Sequence, residues 1–228
     1  MTTATLYVGN KNYSSWSLRG WLAVKLSGIP FREVHVSLTG AFNPANLAFS
    51  PTALVPALHD GEITIWDSLA IGLYLAERHP GMWPTDPVAR AWAQAAACEM
   101  HSGFSAMRNA LTMCIRERLD VRPWSDATTA NVQRIESLWS EGRTRFGSGG
   151  PYLCGAFSLV DAFFAPVAFR FQTYLVKPQG VAGDYLAALL AHPFVHEWEA
   201  AAMAETEIIA ADEPRLLYRD HLEAAVRP

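Results

Sequence analysis

Three serines, Ser14, Ser15 and Ser17, lie between the first predicted strand and the first predicted helix. At the N-terminus of a helix the backbone N–H groups are unpaired and the helix dipole is positive, so an anion is stabilised there. A serine hydroxyl at this position can donate to a bound thiolate and help the thiol to lose its proton. The same hydroxyls can serve as helix caps, which is the commoner use of serine. The spacing therefore predicts a thiolate site or a capped helix, and by itself it favours the cap.

Two further segments carry groups that could hold a peptide-like ligand. Val55-Pro56 precedes a predicted strand, where proline loses no needed hydrogen bond. A cis bond there would turn the backbone N–H and C=O of Val55 outward, although most X-Pro bonds are trans. Asp67-Ser68 opens a predicted helix, so an acid, a hydroxyl and free amides share a positive helix end. This helix end could bind a ligand that carries both an ammonium and a carboxylate. The alternative is that Asp67 or Ser68 only caps the helix.

The first eighty residues, which carry all three segments, alternate between strand and helix patterns. The patterns predict, in chain order, a strand at 6–8, a helix from 16 to 27, a strand at 33–38, an irregular or weakly helical crossover over 40–53, a hairpin around Asp60-Gly61 and a helix over 69–79. A βαβ unit followed by a ββα unit predicts an α/β domain with a mixed four-stranded sheet and helices on its faces. In that arrangement the three segments lie at one end of the sheet.

After the proline-containing stretch 80–87 the character of the chain changes, and only helical patterns follow. One long helix is predicted from 88 to 118, and a second is capped by Ser125. Ser158-Leu159-Val160-Asp161 matches a capping box ahead of an apolar run, which predicts the start of a buried helix. We therefore predict two domains, an α/β domain over 1–82 and an all-helical domain over 88–228.

Composition narrows the classes of partner. The chain has 228 residues and a net charge of -4, which gives no broad basic field for nucleic acid. No apolar run reaches the roughly 20 residues of a membrane-spanning helix, and the first residues lack the pattern of a leader. Three cysteines without a CxxC pair and scattered histidines favour a reducing cytoplasm and no metal. We expect a cytoplasmic protein that acts on small molecules.

Four landmarks together resemble the cytosolic glutathione transferase superfamily. They are the segment SSWSLR at 14–19, Val55-Pro56-Ala57-Leu58, Asp67-Ser68 and Ser158-Leu159-Val160-Asp161, in this order across most of the chain. The resemblance, which is to serine-type, zeta-like members, implies a thioredoxin-like N-terminal domain that binds glutathione as co-substrate. It also implies an all-helical C-terminal domain that contributes the electrophile pocket, and a homodimer.

The resemblance assigns roles to residues. It implies that Ser14 activates the thiol, with Ser15 as the nearest competitor and Ser17 as the third candidate. Val55, before a cis Pro56, would pair with the cysteinyl part of glutathione, and Asp67 and Ser68 would hold its γ-glutamyl end. The electrophile pocket would be formed by residues that share roughly one helix face, Met100, His101, Phe104 and Arg108. The same spacing is typical of core residues, and the Arg108 charge suits a carboxylate-bearing substrate or plain solvent.

Two departures from the family pattern bear on function. Ala53-Leu54 stands where many relatives carry a glycine and a cation for the glycyl carboxylate of glutathione. None of Lys11, Arg19 and Lys25 is assigned as a replacement for that cation, although Lys11 lies in the right loop for a test. The zeta class includes maleylacetoacetate isomerase, but Thr173 occupies the position expected for that class's substrate arginine, and Arg170 lies about one turn earlier. We therefore predict a transferase acting on small electrophiles, with an isomerase or a non-catalytic glutathione-binding or scaffold protein as alternatives.

Overall fold

The computed structural model describes residues 3–38 and 43–226, and its N-terminal part is built on a four-stranded mixed sheet. The strands are β1 (Ala4–Val8), β2 (Phe31–His35), β3 (Ala57–Asp60) and β4 (Ile63–Trp66). Their order in the sheet is β2-β1-β3-β4. β1 runs parallel to β2 and antiparallel to β3, and β3 and β4 form the predicted hairpin. The mixed sheet and thioredoxin-like arrangement predicted from sequence are confirmed.

Two helices of this part bear on the site. α1 (Ser15–Ser27) ends at Gly28, whose φ of 74° is left-handed and is easily adopted by glycine. α2 (Ser68–Ala76) begins after Asp67, which is its N-cap. In the crossover, the described residues form one short 3₁₀ helix (Pro44–Ala48). Because β1 and β4 both run antiparallel to β3, they point in the same direction, and the helix starts that follow them lie at one end of the sheet.

The second part of the chain is helical, but the predicted long helix from 88 to 118 is wrong. α3 (Pro87–Ser102) ends at Gly103, and Phe104 takes a positive φ of 59° before the short α4 (Ser105–Ala110). Residues 111–125 contain no helix. Their side chains at Leu111, Met113 and Ile115 are buried in the core, so tertiary contacts in this segment stabilise an extended course. The break bends the chain back toward the N-terminal domain.

The remaining helices enclose one buried helix. They are α5 (Asp126–Phe146), α6 (Leu159–Thr173), α7 (Gly180–Leu190), α8 (Pro193–Ala204), α9 (Pro214–Leu217) and α10 (Arg219–Val226). α6 is buried along its length except for Gln172, and the ring of Trp139 packs on Phe164, Phe171 and Tyr185 at centroid distances of 5.0–6.0 Å. The predicted capping box is present at the start of α6, and Ser125 caps α5 as predicted. α6 also packs on α1, so it connects the core to the first helix of the sheet domain.

His192 gives the helical domain a dependence on pH. Its ring stacks on Phe157 at 3.8 Å, and its Nδ1 accepts the Phe194 N–H at 3.2 Å, which caps α8. Burial lowers the pKa of His192 to about 4, below the 6.5 of an unfolded chain, so the neutral ring stabilises the fold above pH 6.5 and that stabilisation is lost as pH falls toward 4. We expect wild type to lose on the order of 1–2 kcal/mol more than His192→Asn between pH 6.5 and 4, because asparagine keeps a cap and does not titrate. Urea unfolding at the two pH values measures this, and equal losses would contradict it.

No helix in the described ranges is both long and apolar enough to cross a membrane.

Candidate active site

Ser14 and Ser17 form a closed hydrogen-bonded pair at the start of α1. The Ser14 Oγ donates to the Ser17 Oγ at 2.8 Å and accepts the Ser17 N–H at 3.3 Å, so Ser14 is the N-cap of the helix. The Ser17 Oγ also accepts the Gly9 N–H at 2.9 Å, and Ser17 is fully buried. Both hydroxyls therefore fix the turn from β1 into α1.

Ser15 has a different environment. It is the first residue of α1, and its Oγ lies 3.4 Å from Nη2 of Arg170, which donates to it from α6. The Arg170 guanidinium also donates to the carbonyls of Leu111 at 2.8 Å and Pro166 at 3.3 Å. Burial, and then the charge of Arg108, lower the pKa of Arg170 to about 10, so it stays a cation at neutral pH. A fixed positive charge thus lies behind the Ser15 hydroxyl.

A cavity of about 520 Å³ opens beside this helix start. It is lined by Trp16, Thr52, Leu54, Val55, Pro56, Trp66, Asp67 and Ser68. The Val55-Pro56 bond is cis. A Cβ on Gly20 would lie 2.7 Å from Pro56 Cγ, so glycine at this position lets α1 approach the proline closely. A larger cavity of about 610 Å³ lies between the 81–89 stretch and the 145–158 region, away from the predicted site residues.

The start of α2 presents both a carboxylate and a free hydroxyl. The Asp67 Oδ1 accepts the N–H groups of Leu69 at 2.7 Å and Ala70 at 3.2 Å, and its Oδ2 lies 3.4 Å from Nε2 of His101. Ser68 is fully buried, and its Oγ has no hydrogen-bond partner in the described part of the chain. Asp67 has a positive φ of 75° and lines the cavity. Hydrogen-bonding capacity remains here for a polar ligand.

The residues predicted for the electrophile pocket separate into two pairs. Met100 is fully buried and Phe104 is 7% exposed, and both pack in the core. His101 and Arg108 contact the ring of Trp16, His101 edge-on at 5.2 Å and Arg108 with its guanidinium 4.3 Å from the ring centroid. Burial lowers the pKa of His101, and the Asp67 carboxylate opposes that shift. Trp16 therefore connects the helical domain to the cavity.

In the sequence Arg19 is the last residue of the segment SSWSLR, with no predicted role of its own. Its environment in the structure is unusual. Its side chain is fully buried between the rings of Trp16 and Phe163, at 4.8 and 5.5 Å. None of its three side-chain nitrogens has a hydrogen-bond partner among the described residues. Burial lowers the pKa of Arg19, and the charges of Arg170 and Arg108 lower it further. Three guanidinium groups thus lie close to the start of α1, and their combined field favours an anion there.

Several contacts that the sequence did not indicate hold the loop that precedes α1. The Glu205 carboxylate, just after α8, accepts the N–H groups of Lys11 at 2.8 Å and Asn12 at 3.0 Å. The Glu213 carboxylate accepts the Tyr13 hydroxyl at 2.7 Å, and Arg116 donates its backbone N–H to the Asn12 Oδ1 at 3.0 Å. The loop that leads to the serines is therefore held by segments about 100 and 190 residues away.

Lys11 itself does not line the cavity. Its Nζ pairs with Glu33 at 2.8 Å and lies 5.0 Å from the centroid of the Trp198 ring. Leu54, where relatives carry the cation, is 65% exposed at the cavity edge. Over residues 3–38 and 43–226, no group of three or more histidine, cysteine or acidic side chains could hold a metal ion.

Comparison with known proteins agrees with this geometry. The family models "Glutathione S-transferase, N-terminal domain" and "Glutathione S-transferase, C-terminal domain" match residues 13–78 and 123–201. A zeta-class glutathione S-transferase of Euphorbia esula is 32% identical over 67% of this chain and 70% of its own, and the maleylacetoacetate isomerase of Rattus norvegicus is 28% identical over 75% and 79%. A Burkholderia glutathione transferase homolog solved with bound glutathione superposes with a TM-score of 0.67 at 21% identity, over 90% of this chain and 100% of the other.

Proposed function

This chain belongs to the glutathione S-transferase family, and from that membership we propose that it transfers the thiolate of glutathione to small electrophiles. The observation that carries the proposal is the cavity where the starts of α1 and α2 meet the cis Val55-Pro56 bond. An extended backbone, two positive helix ends and unpaired polar groups there suit a tripeptide with a thiol in its middle.

Each end of glutathione has a proposed partner. The backbone of Val55 pairs with the cysteinyl residue, Asp67 takes the γ-glutamyl ammonium, and the Ser68 hydroxyl takes the γ-glutamyl carboxylate. Supporting this, the Ser68 Oγ is unpaired in the described structure and the Asp67 carboxylate reaches the cavity. The sulfur then lies near the start of α1, where a hydroxyl of Ser14 or Ser15 stabilises its anion.

Chemistry follows from the thiolate. The thiol proton passes to solvent, and the sulfur attacks the electrophilic carbon. In a substitution the leaving group departs with its bonding pair, and in an addition the π bond breaks and the adjacent carbon takes a proton from solvent. The protein lowers the barrier mainly by keeping the thiol ionised at neutral pH and by holding the electrophile beside it. We propose that Trp16, His101 and Arg108 contact the electrophile. Met100 and Phe104 pack in the core and hold the segment that carries His101 in place.

We also propose a cytoplasmic homodimer. The strand β4 and helix α2 expose Trp66 and Leu73, at 43% and 45%, and both side chains line the same surface depression. Exposed apolar side chains that lie together are typical of an interface, and Trp66 also borders the cavity. All three cysteines are free thiols, which suits a reducing compartment.

One observation favours a second candidate, isomerisation of an acidic substrate. Arg108, Arg170 and Arg19 lie together near the proposed thiolate, and such a group attracts carboxylates. The expected arginine at position 173 is absent, and the Thr173 hydroxyl instead donates to the carbonyls of Cys114 and Phe169. Because the expected arginine is absent, transfer of glutathione remains our main proposal.

A thiolate titration and a turnover assay test the proposal together. Wild type should bind glutathione, show ultraviolet thiolate absorbance at neutral pH and conjugate an aryl halide, whereas Ser14→Ala/Ser15→Ala should lose about tenfold or more in kcat/KM near neutral pH. Ser27→Ala is the matched control, because its hydroxyl bonds only to the backbone of Val24 and Ile29 at the far end of α1. Binding without turnover of aryl halides or peroxides would instead support a non-catalytic protein, and turnover of a cis-enone dicarboxylate alone would support the isomerase.

A further inference from the structure

Ser14, Ser15 and Ser17 differ in the hydrogen bonds that their hydroxyl groups already make. This difference decides which hydroxyl can donate to a ligand. A serine hydroxyl has a single hydrogen to donate. That of Ser14 is directed to the Ser17 Oγ at 2.8 Å, inside the closed pair that caps α1. A sulfur could receive it only after this bond broke. Ser17 is fully buried between Ser14 and the Gly9 N–H, and it is not among the residues that line the cavity.

Ser15 is the serine whose hydrogen remains available. Its oxygen accepts from Nη2 of Arg170, and among the described residues no acceptor takes its hydrogen. Exposure does not separate Ser15 from Ser14, at 7% and 8%, but the residue next to Ser15, Trp16, lines the cavity. A thiolate placed against the first turn of α1 therefore meets the Ser15 hydroxyl as a free donor, where the helix dipole also favours negative charge.

Arg170 is placed to strengthen that donor. Two carbonyls, of Leu111 and Pro166, hold its guanidinium, and the residue is only 4% exposed, so the remaining nitrogen is directed at Ser15 by a fixed frame. A hydroxyl that accepts from a cation becomes a better donor, because successive hydrogen bonds polarise one another in a dry interior. The 3.4 Å separation is long, as is common for catalytic hydrogen bonds before the ligand binds.

We propose that the Ser15 hydroxyl, rather than that of Ser14, donates to the glutathione thiolate, and that Arg170 is the positioning residue that orients and polarises it. This inference rests on the proposed function and specifies its chemistry. The chain of donors runs from the Arg170 Nη2–H to the Ser15 Oγ, and from the Ser15 O–H to the sulfur. No covalent bond changes within the protein, and Ser15 keeps its proton throughout. Arg170 comes from α6, so the helical domain contributes to activating a thiol bound by the sheet domain.

The pKa of the bound thiol, followed by ultraviolet absorbance of the thiolate, tests this directly. Ser15→Ala should raise that pKa by about 1 or more, whereas Ser14→Ala, which loses a helix cap, should move it by less than about 0.3. Arg170→Met should raise it by about 1, and Arg170→Lys, which keeps a cation, should recover part of the shift. In kcat/KM the Ser15→Ala loss should be about tenfold near neutral pH and should shrink at high pH, where the thiol ionises without help.

A double variant distinguishes polarisation from charge alone. If Arg170 acts through Ser15, Arg170→Met should add little to the shift already present in Ser15→Ala. Equal shifts by Arg170→Met with and without Ser15 would overturn the positioning role, and a thiol pKa that follows Ser14→Ala but not Ser15→Ala would overturn the choice of serine.

S-methylglutathione, which has no ionisable thiol, reports whether each variant keeps an assembled site. It should bind all folded variants with affinities within about threefold of wild type, because the proposed contacts act on the thiolate alone. A variant that loses this affinity has lost the binding site as a whole. In that case the thiol pKa values of the Arg170→Lys and Ser15→Ala variants test the proposal instead. Wild type that binds neither glutathione nor S-methylglutathione would refute the proposed function, whereas binding with a thiol pKa unmoved by Ser15→Ala would refute only this inference.

Discussion

Alanine in place of Asp161 is expected to lower the free energy of unfolding by about 3–5 kcal/mol, because it leaves several buried donors unpaired at once. The Asp161 carboxylate is fully buried and accepts the N–H groups of Leu153 at 3.1 Å and Ser158 at 2.9 Å, as well as the Ser158 hydroxyl at 3.1 Å. Water cannot replace these bonds without entering the core. Urea denaturation of wild type and variant measures the difference.

Asp86→Ala is the matched control for this change. Asp86 also caps a helix, but it is exposed and accepts a single N–H, from Ala89 at 2.8 Å, so its loss should cost about 1 kcal/mol. The difference between the two variants isolates burial and the number of donors from capping as such. Equal costs would mean that the α6 capping box is no more than an ordinary helix start.

The Asp161 substitution also has a functional consequence. α6 begins at this capping box and carries Arg170 nine residues later, about 14 Å along the helix axis. Any fraying or shift of the helix start moves the guanidinium that contacts Ser15. We therefore expect the thiolate to be affected in Asp161→Ala even under conditions where the protein stays folded.

Much of the fold could be predicted because its signals are local. The hairpin follows from Asp60-Gly61, where Gly61 adopts a positive φ of 61°, and the α6 start follows from Ser158 and Asp161. Both depend on residues at most a few positions apart. Helical spacing over 88–118 was misleading, because the break at Gly103 and Phe104 is stabilised by distant contacts. Leu119, for example, donates its N–H to the Thr173 carbonyl at 2.7 Å.

One signal for that break was present in the sequence. Leu111, Met113 and Ile115 alternate with period two, which is typical of an extended segment, and Gly103 precedes them as a natural end for a helix. The candidate site was less accessible to such reasoning. Residue types identified the serines and Asp67-Ser68, but the Arg170–Ser15 contact joins positions 155 residues apart. No periodicity or local motif encodes a pairing of that kind.

The contact of Glu205 with the loop before α1 could likewise not be predicted from the sequence, because the two are distant along the chain. We expect Glu205→Ala to lose about 10- to 100-fold in kcat/KM for glutathione. The variant removes the acceptor of two backbone N–H groups, of Lys11 and Asn12, in the loop that ends at the serines. In the variant the Lys11 N–H is unpaired and the Asn12 N–H keeps only its bond to the Asn10 Oδ1 at 3.0 Å. The loop is then held less firmly, and small displacements of a reacting group are costly. Steady-state kinetics measure the loss, and hydrogen exchange at Lys11 and Asn12 reports the loosening.

Glu197→Ala tests whether the effect belongs to the loop or to α8. Glu197 lies on α8 and pairs at the surface with Lys25 at 2.8 Å, so its removal should change stability by at most about 0.5 kcal/mol and leave kcat/KM unchanged. Glu205→Gln should fall between wild type and alanine, because a carboxamide offers one acceptor oxygen to two N–H groups and turns a donor toward the other. Faster exchange at Lys11 and Asn12 with unaltered kinetics would contradict the prediction. It would mean that the bonds around Ser14, Ser15 and Ser17 position the hydroxyls without help from the loop before them.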